Sequence, residues 1–308
     1  MDAKNTETLD PIKIATDIRR RVTELTLLNN GCYLSQALSS AEILGTLYGR
    51  VLNFERLNSP IKSPPLIGVP NSLTEFSPSG GRFHGAKGAD LDRFLISPAH
   101  YAVAIYAALE ATGRLESGAL KTFNTDGSTL EMIGAEHSPG FELTTGSFGQ
   151  ALSQSAGIAF ARALRGESGK TVVFVSDGEL EEGQTWEGVQ AAAMFDLHNL
   201  FMVIDVNGQQ VDGLTAEIMN IEPIHERFAA FNWNVFRVDG HNPDEIERAF
   251  QDGAQQSGPT AIVCDTNSSQ GIPYLERYAP KLHYVRPKND DDVVALEEAL
   301  ARFEKGVK

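Results

Sequence analysis

Cysteine is scarce in this chain of 308 residues, which has only Cys32 and Cys264. They lie far apart and form no CxxC or metal-ligand spacing, so two reduced thiols are expected rather than a disulfide or a structural zinc site. Long apolar runs are missing too. The longest, Tyr101 to Leu109, is about half of the roughly 20 residues needed to cross a bilayer, so no membrane span is expected. Met1 to Thr8 has neither the basic nor the apolar region of a secretory signal, which points to a cytoplasmic protein. Positive charge is also short, with 26 Lys and Arg against 41 Asp and Glu, a formal net charge of -15. That excess opposes binding to nucleic acid phosphates and to anionic membranes. An anionic ligand would have to find its countercharge locally, at a metal ion or a helix N-terminus.

The chain does have apolar material for a large core, at 42% hydrophobic residues. Asp10-Pro11 followed by Ile12, Ile14, Ala15, Ile18, Val22 and Leu25 gives an N-cap, a proline at the first position and one apolar face, predicting a helix that ends near Asn30-Gly31. A second helix is expected over Ser40 to Val51, capped by Ser39 or Ser40, with Ile43, Leu44, Leu47 and Val51 on one side. Residues 53–90 are rich in Pro, Ser and Gly and read as a long irregular insertion, part of it expected near an active site. Apolar runs follow at Arg93–Ser97, Thr171–Ser176, Leu200–Val206, Trp233–Val238 and Thr260–Asp265. Helical patterns at Tyr101–Thr112, Gln150–Leu164, Gln184–Phe195 and Pro243–Gln251 separate them, and another follows Asp291. This alternation predicts an α/β fold, a mostly parallel central sheet with helices on both faces, in one domain over 1–308.

The chemically informative segment is VVFVSDGELEEGQTWEGVQAAAMFDLHNLFMVIDVNGQQVDG, starting at Val172. Its two strands each end in polar residues at the carboxyl edge, where open α/β sheets bind ligands. Asp177 follows the first strand and Asn207 the second. Magnesium takes about six oxygens and usually draws several from phosphate and water, so a carboxylate, an amide oxygen and the main-chain carbonyl of Gln209 suit it. Gly178 permits a phosphate to approach its backbone N–H. A lone DG after a strand is most often a turn, but that reading must also cover the E-G-x-x-W-E run and the N-G turn after the neighbouring strand.

This segment resembles the thiamine diphosphate signature of transketolases, which runs from GDG through a WE pair to an asparagine; Ser176 stands in place of the first glycine. TTGSFGQALSQSAGIAFA from Thr144, DRFLISPAHYAVAIYAALEATG from Asp92, ALSSAEIL and FNWNVFRVDGHNPDEIERAF also resemble family segments. The resemblance implies thiamine diphosphate as cofactor and Mg2+ held by Asp177, Asn207 and the Gln209 carbonyl. It places Gly178, Gly146, Phe148 and His100 beside the cofactor, and matches Glu182 to a glutamate that links cofactor sites across a subunit interface. His100 matches a histidine near the diphosphate and the substrate and His283, in KLHY, a catalytic-site histidine, so the resemblance gives His100, His283 and Glu182 as the catalytic candidates.

The chain departs from the family in three polar positions. The histidine of an SGH motif near the first helix boundary is absent from Asn30-Gly31-Cys32-Tyr33. Met132 stands at the histidine of a GHP motif, with His137 a few residues later, and Gln270 replaces the lysine of a K-G pair. Nothing in the chain resembles the family's pyrimidine-binding domain, whose glutamate promotes ylide formation. The resemblance therefore implies the N-terminal subunit of a split enzyme. A separate C-terminal subunit would carry the pyrimidine-binding domain in an α2β2 assembly, moving a two-carbon ketol unit from a phosphorylated or modified ketose to an aldehyde. Ketol or acyl transfer to a non-sugar acceptor, and a cofactor-binding regulatory subunit without turnover, are the other readings.

Overall fold

A computed structural model describes residues 9–68 and 79–306. The five apolar runs form one parallel sheet: β1 (Arg93–Ile96), β2 (Thr171–Ser176), β3 (Leu200–Val206), β6 (Asn234–Asp239) and β7 (Thr260–Asp265), in the order β1-β2-β3-β7-β6. A two-stranded hairpin, β4 (Gln209–Gln210) and β5 (Gly213–Leu214), follows β3. The helices are α1 (Pro11–Leu28), α2 (Leu34–Thr46), α3 (Ala102–Ala111), α4 (Gln150–Leu164), α5 (Gly183–Met194), the single turn α6 (Thr215–Ile218), α7 (Ile224–Ala230), α8 (Pro243–Gly253) and α9 (Asp290–Glu304).

Side chains alternate across a strand, so the sheet separates two apolar layers. Phe94, Val172, Phe174, Phe201, Val203 and Ile262 pack with α1, α2, α3, α8 and α9, while Leu95, Val173, Val175, Met202, Ile204 and Val263 pack with α4, α5 and α7. The strand residues of both layers are buried, which explains why β2, β3 and β7 read as unbroken apolar runs, whereas the edge strand β6 is partly exposed. Among the described residues no helix is long and apolar enough to cross a membrane. Met1 to Thr8, the basis of the expected location, lies outside the described residues. Both cysteines are free and buried.

The first helix starts as predicted, with the Asp10 carboxylate accepting the Ile12 amide at 3.0 Å. The second does not. It starts at Leu34, six residues before Ser40, and gives way at Leu47–Val51 to a wider π turn. Every residue of α2 is buried, so it has no polar face whose periodicity could mark its start. Ser39 and Ser40 are mid-helix rather than caps: Ser40 Oγ donates to the Gln36 carbonyl at 2.6 Å and Ser39 Oγ to Asp205 at 2.6 Å. Among its described residues the insertion is irregular apart from a 3₁₀ turn at Gly80–His84. Its described part packs away from the site: Ile61 bridges to Leu115, Pro65 bridges to Ser128, and Arg114 donates to the carbonyls of Phe83 and Glu55. Residues 69–78 of the expected insertion lie outside the described residues.

Two buried acids fasten the elements that carry the site. Glu42 on α2 accepts both guanidinium arms of Arg19 on α1, at 2.5 and 2.6 Å, and the Nδ1–H of His241 at 2.9 Å. The other ring nitrogen of His241 accepts the Asn267 amide at 2.9 Å. Burial opposes ionisation of Glu42, but its bonds with His241 and Arg19 outweigh that and hold its carboxyl down at about 2. Asp292, in the first turn of α9, accepts the hydroxyls of Tyr274 (3.0 Å) and Tyr278 (2.6 Å) and the amide of Lys288 (2.7 Å). These bonds close the loop over 273–288, which carries Leu282 and His283.

Replacing Glu42 by Gln leaves the Arg19 charge buried and unpaired, and should cost about 3–5 kcal/mol in urea unfolding. Because the folded carboxyl titrates below its ordinary value near 4.5, the wild-type contribution is complete above that pH and lost as pH falls toward about 2. Acid unfolding of the Gln variant should lack that component. Asp292→Ala removes three acceptor bonds and should speed hydrogen exchange across 273–288 roughly 30-fold, for a local loss of about 2 kcal/mol, leaving β2 and β3 unchanged. Unchanged exchange in that loop would show that Asp292 does not hold it.

Candidate active site

Parallel pairing brings the carboxyl ends of β1, β2, β3 and β7 to one edge, with Ser176 level with Asp205 and Asp205 level with Cys264. A cavity of ≈450 Å³ opens there. Its floor is made by Ser176, Asp177 and Gly178 after β2, and by Asn207 and Gln209 after β3. His100, Tyr101 and Phe148 line one side, Ser35 and Gln36 of α2 another, and Ser268, Leu282 and His283 a third. Glu181, Glu182, Gln210, Val211, Asp212 and Ile218 complete the lining.

Asp177 is 1% exposed. Its carboxylate accepts the amides of Gly178 (2.9 Å) and Gly208 (2.8 Å) and the Thr215 hydroxyl (3.4 Å). Burial and the nearby Asp205 charge nevertheless push its carboxyl up to about 7, so the pocket favours a cation beside it. Asn207 is fixed on both ends, its Oδ1 accepting the Gln209 amide (3.0 Å) and its Nδ2 donating to the Tyr101 hydroxyl (3.3 Å). Tyr101 donates in turn to Asp205 (2.8 Å), which also accepts from Ser39 and Thr266. Burial raises the Asp205 carboxyl above its usual range despite these donors.

His100 and His283 stand with ring centroids 4.9 Å apart. Burial, reinforced by His283, pushes His100 down to about 3, and burial lowers His283 as well, so both rings are neutral at pH 7. The Gln36 amide donates to the His283 carbonyl at 3.0 Å. Glu179 is buried behind the floor, where it accepts the Ser97 hydroxyl (2.6 Å) and the Gly149 amide (3.0 Å), tying β1 to the start of α4. Burial pushes its carboxyl up to about 7.

The predicted residues Asp177, Gly178, Asn207, Gln209, His100, Phe148, His283 and Glu182 therefore meet in one cavity, with Glu182 exposed at its rim. Gly146 does not line it. With φ +96° it makes the turn behind Ala99 that leads to Phe148. A Cβ at Gly178 would meet only Gln210 Cβ, at 3.6 Å, so packing within the chain does not require glycine there. No described residue of the 53–90 insertion lines the cavity. Two candidates for the missing histidines fall outside it. Cys32 is in the core, where burial pushes its thiol up to about 12, and its backbone pairs with Val285. His137 bonds Glu131 at 2.7 Å. Sequence reasoning missed Tyr101, Asp205, Ser35, Gln36 and Ser268. The acid closing the apolar run FMVIDV was the available signal for Asp205; α2, misplaced by six residues, hid Ser35 and Gln36.

Among the described residues no group of three His, Cys, Asp or Glu side chains forms a metal cluster. A cation at Asp177 would have to complete its shell from amide and carbonyl oxygens and from a ligand, and a hard oxygen set of this kind suits magnesium.

The sequence model described as transketolase, thiamine diphosphate binding domain, matches residues 84–304. A transketolase family protein of Sinorhizobium fredii is 34% identical over 296 residues, 95% of both chains. One of the subunits of the apulose-4-phosphate transketolase of Phocaeicola vulgatus is 33% identical over 215 residues, 70% of this chain and 76% of that one. Among solved structures, the transketolase of Campylobacter jejuni superposes with a TM-score of 0.74 over 97% of this chain at 20% identity, a likeness of fold. This chain spans only 46% of the length of that enzyme. Given a family match over residues 84–304 and a relative of matching length, the chain belongs to the transketolase family and comprises its thiamine diphosphate binding domain.

Proposed function

We propose that the chain is the diphosphate-binding subunit of a split transketolase, transferring a two-carbon ketol unit from a phosphorylated or otherwise modified ketose to an aldehyde. The observation that carries this reading is the convergence of Asp177, Asn207 and two neutral histidines on one cavity at the carboxyl edge of the sheet. The Phocaeicola relative is named as one subunit of its transketolase, which supports a division of the enzyme between two chains. The second chain would carry the pyrimidine-binding domain, and α2β2 is the assembly we propose.

When bound, thiamine diphosphate supplies the electron sink for cleaving the bond beside a ketose carbonyl, and magnesium neutralises its diphosphate. The rest falls to the protein. Asp177 would give one anionic oxygen, Asn207 and the Gln209 carbonyl neutral ones, and Gly178 would leave room for the phosphate. Asp205 and Tyr101 hold the Asn207 amide in a fixed orientation, so that it would be preorganised to hold the ion. His100 and His283, neutral at pH 7, accept or donate hydrogen bonds at substrate oxygens; His283, less deeply buried, is the better placed to move a proton. Glu182, exposed at the rim, is available to a carboxylate contact across a subunit interface.

Asp177→Ala should abolish magnesium-dependent binding of thiamine diphosphate, read by titration calorimetry, and turnover in the complex with the partner subunit. Asp205→Asn should weaken the metal-dependent affinity roughly 10- to 100-fold, as expected of a group that orients a ligand. Unchanged binding in the Asp177 variant would sink the metal assignment.

A further inference from the structure

The start of α2 carries two buried polar groups without a partner, with a phenol just before them. Ser35 Oγ and Gln36 Oε1 are buried without a partner, although both residues line the cavity. Gln36 is pinned by its other end, since its Nε2 donates to the His283 carbonyl, so the free oxygen is held in place as an acceptor. Tyr33, the residue preceding α2, is part-exposed, and among the described residues its hydroxyl has no hydrogen-bond partner. Its ring packs against the two histidines of the cavity, with centroids 5.4 Å from His100 and 5.5 Å from His283, and stands edge-on to Tyr284 at 5.1 Å. Its neighbour Cys32 faces the core, so at this helix boundary it is the tyrosine that reaches the histidines.

Buried polar atoms are ordinarily paired, and two unpaired ones on the cavity lining, next to a phenol that packs on both cavity histidines, point to a ligand that completes them. The lining holds no Lys or Arg, while Asp177, Glu181, Glu182 and Asp212 are acidic. A phosphate or sulfonate finds no fixed positive charge here, whereas a hydroxyl can give its proton to Gln36 and exchange hydrogen bonds with Ser35 and Tyr33. We propose that Tyr33, Ser35 and Gln36 form a neutral wall that binds the hydroxyl groups of the ketose carbon chain and sets donor selectivity, leaving any anionic substituent to be held outside it. This rests on the reading of the chain as a ketol-transferring subunit.

The test uses the complex with the partner subunit, loaded with thiamine diphosphate and magnesium, and compares wild type, Tyr33→Phe and Gln36→Met. Donor KM and kcat are measured for ketose phosphates and their singly deoxygenated analogues, and cofactor affinity by calorimetry. Each variant should raise donor KM about 3- to 10-fold, by more than it lowers kcat, with cofactor affinity unchanged. The deoxygenated analogue that wild type disfavours should be accepted by one variant as well as its parent sugar, because the lost partner no longer matters. Unchanged donor KM and an unchanged penalty for every analogue, in a complex whose wild type turns ketoses over, would overturn this inference alone. A wild-type complex that binds cofactor but cleaves no ketose would overturn the functional reading and the inference with it.

Discussion

Two carboxylates at the ends of neighbouring strands, Asp177 after β2 and Asp205 on β3, are buried where an ion cannot be fully hydrated. Burial of charge is costly unless it is matched, and here the Asp205 charge raises the cost of ionising Asp177. The fold handles the two differently. Asp205 is met by hydroxyls from Ser39, Tyr101 and Thr266, drawn from three separate elements, and so becomes a fixed part of the frame. Asp177 receives two backbone amides and a distant hydroxyl but faces the cavity, so its unmet charge is available to a cation. In a chain with a net charge of -15, this leaves one buried, incompletely matched carboxylate at the carboxyl edge of the sheet, facing the cavity.

The sheet was largely legible because burial on both faces leaves an unbroken apolar signature, and the edge where strands end in Ser-Asp-Gly and Asp-Val-Asn-Gly could be read as the ligand side. Of the site, the residues that the sequence revealed are those next to strand ends or inside a family motif. The ones it hid depend on packing between distant segments. Nothing local to Tyr101 or Ser39 says that both reach Asp205, and α2 has no polar face from which its first turn could be located. The described part of the insertion is placed for a related reason: its lack of periodicity says that it is irregular, but contacts with Leu115, Ser128 and Arg114, distant in sequence, hold it.

The departures from the family pattern gain meaning from geometry. Loss of the histidine at the first helix boundary does not leave a gap, because Tyr33 packs on His100 and His283 there. The replacement changes the chemistry. A phenol whose ionisation is pushed further up by burial stays neutral through the physiological range, as the two histidines do. The cavity therefore sets the Asp177 carboxylate on its floor apart from the neutral rings of His100 and His283 on its sides.

In the function we propose, Asp177 and Asn207 hold the metal that anchors the cofactor's diphosphate. The most direct measurement is a crystal structure of the chain in complex with its partner subunit, thiamine diphosphate and manganese in place of magnesium, with the ion located by its anomalous scattering. The account predicts one anomalous peak within about 2.0–2.3 Å of an Asp177 carboxylate oxygen and of Asn207 Oδ1, shared with the diphosphate. An ion bound elsewhere, or a diphosphate seated away from the carboxyl ends of β2 and β3, would contradict it.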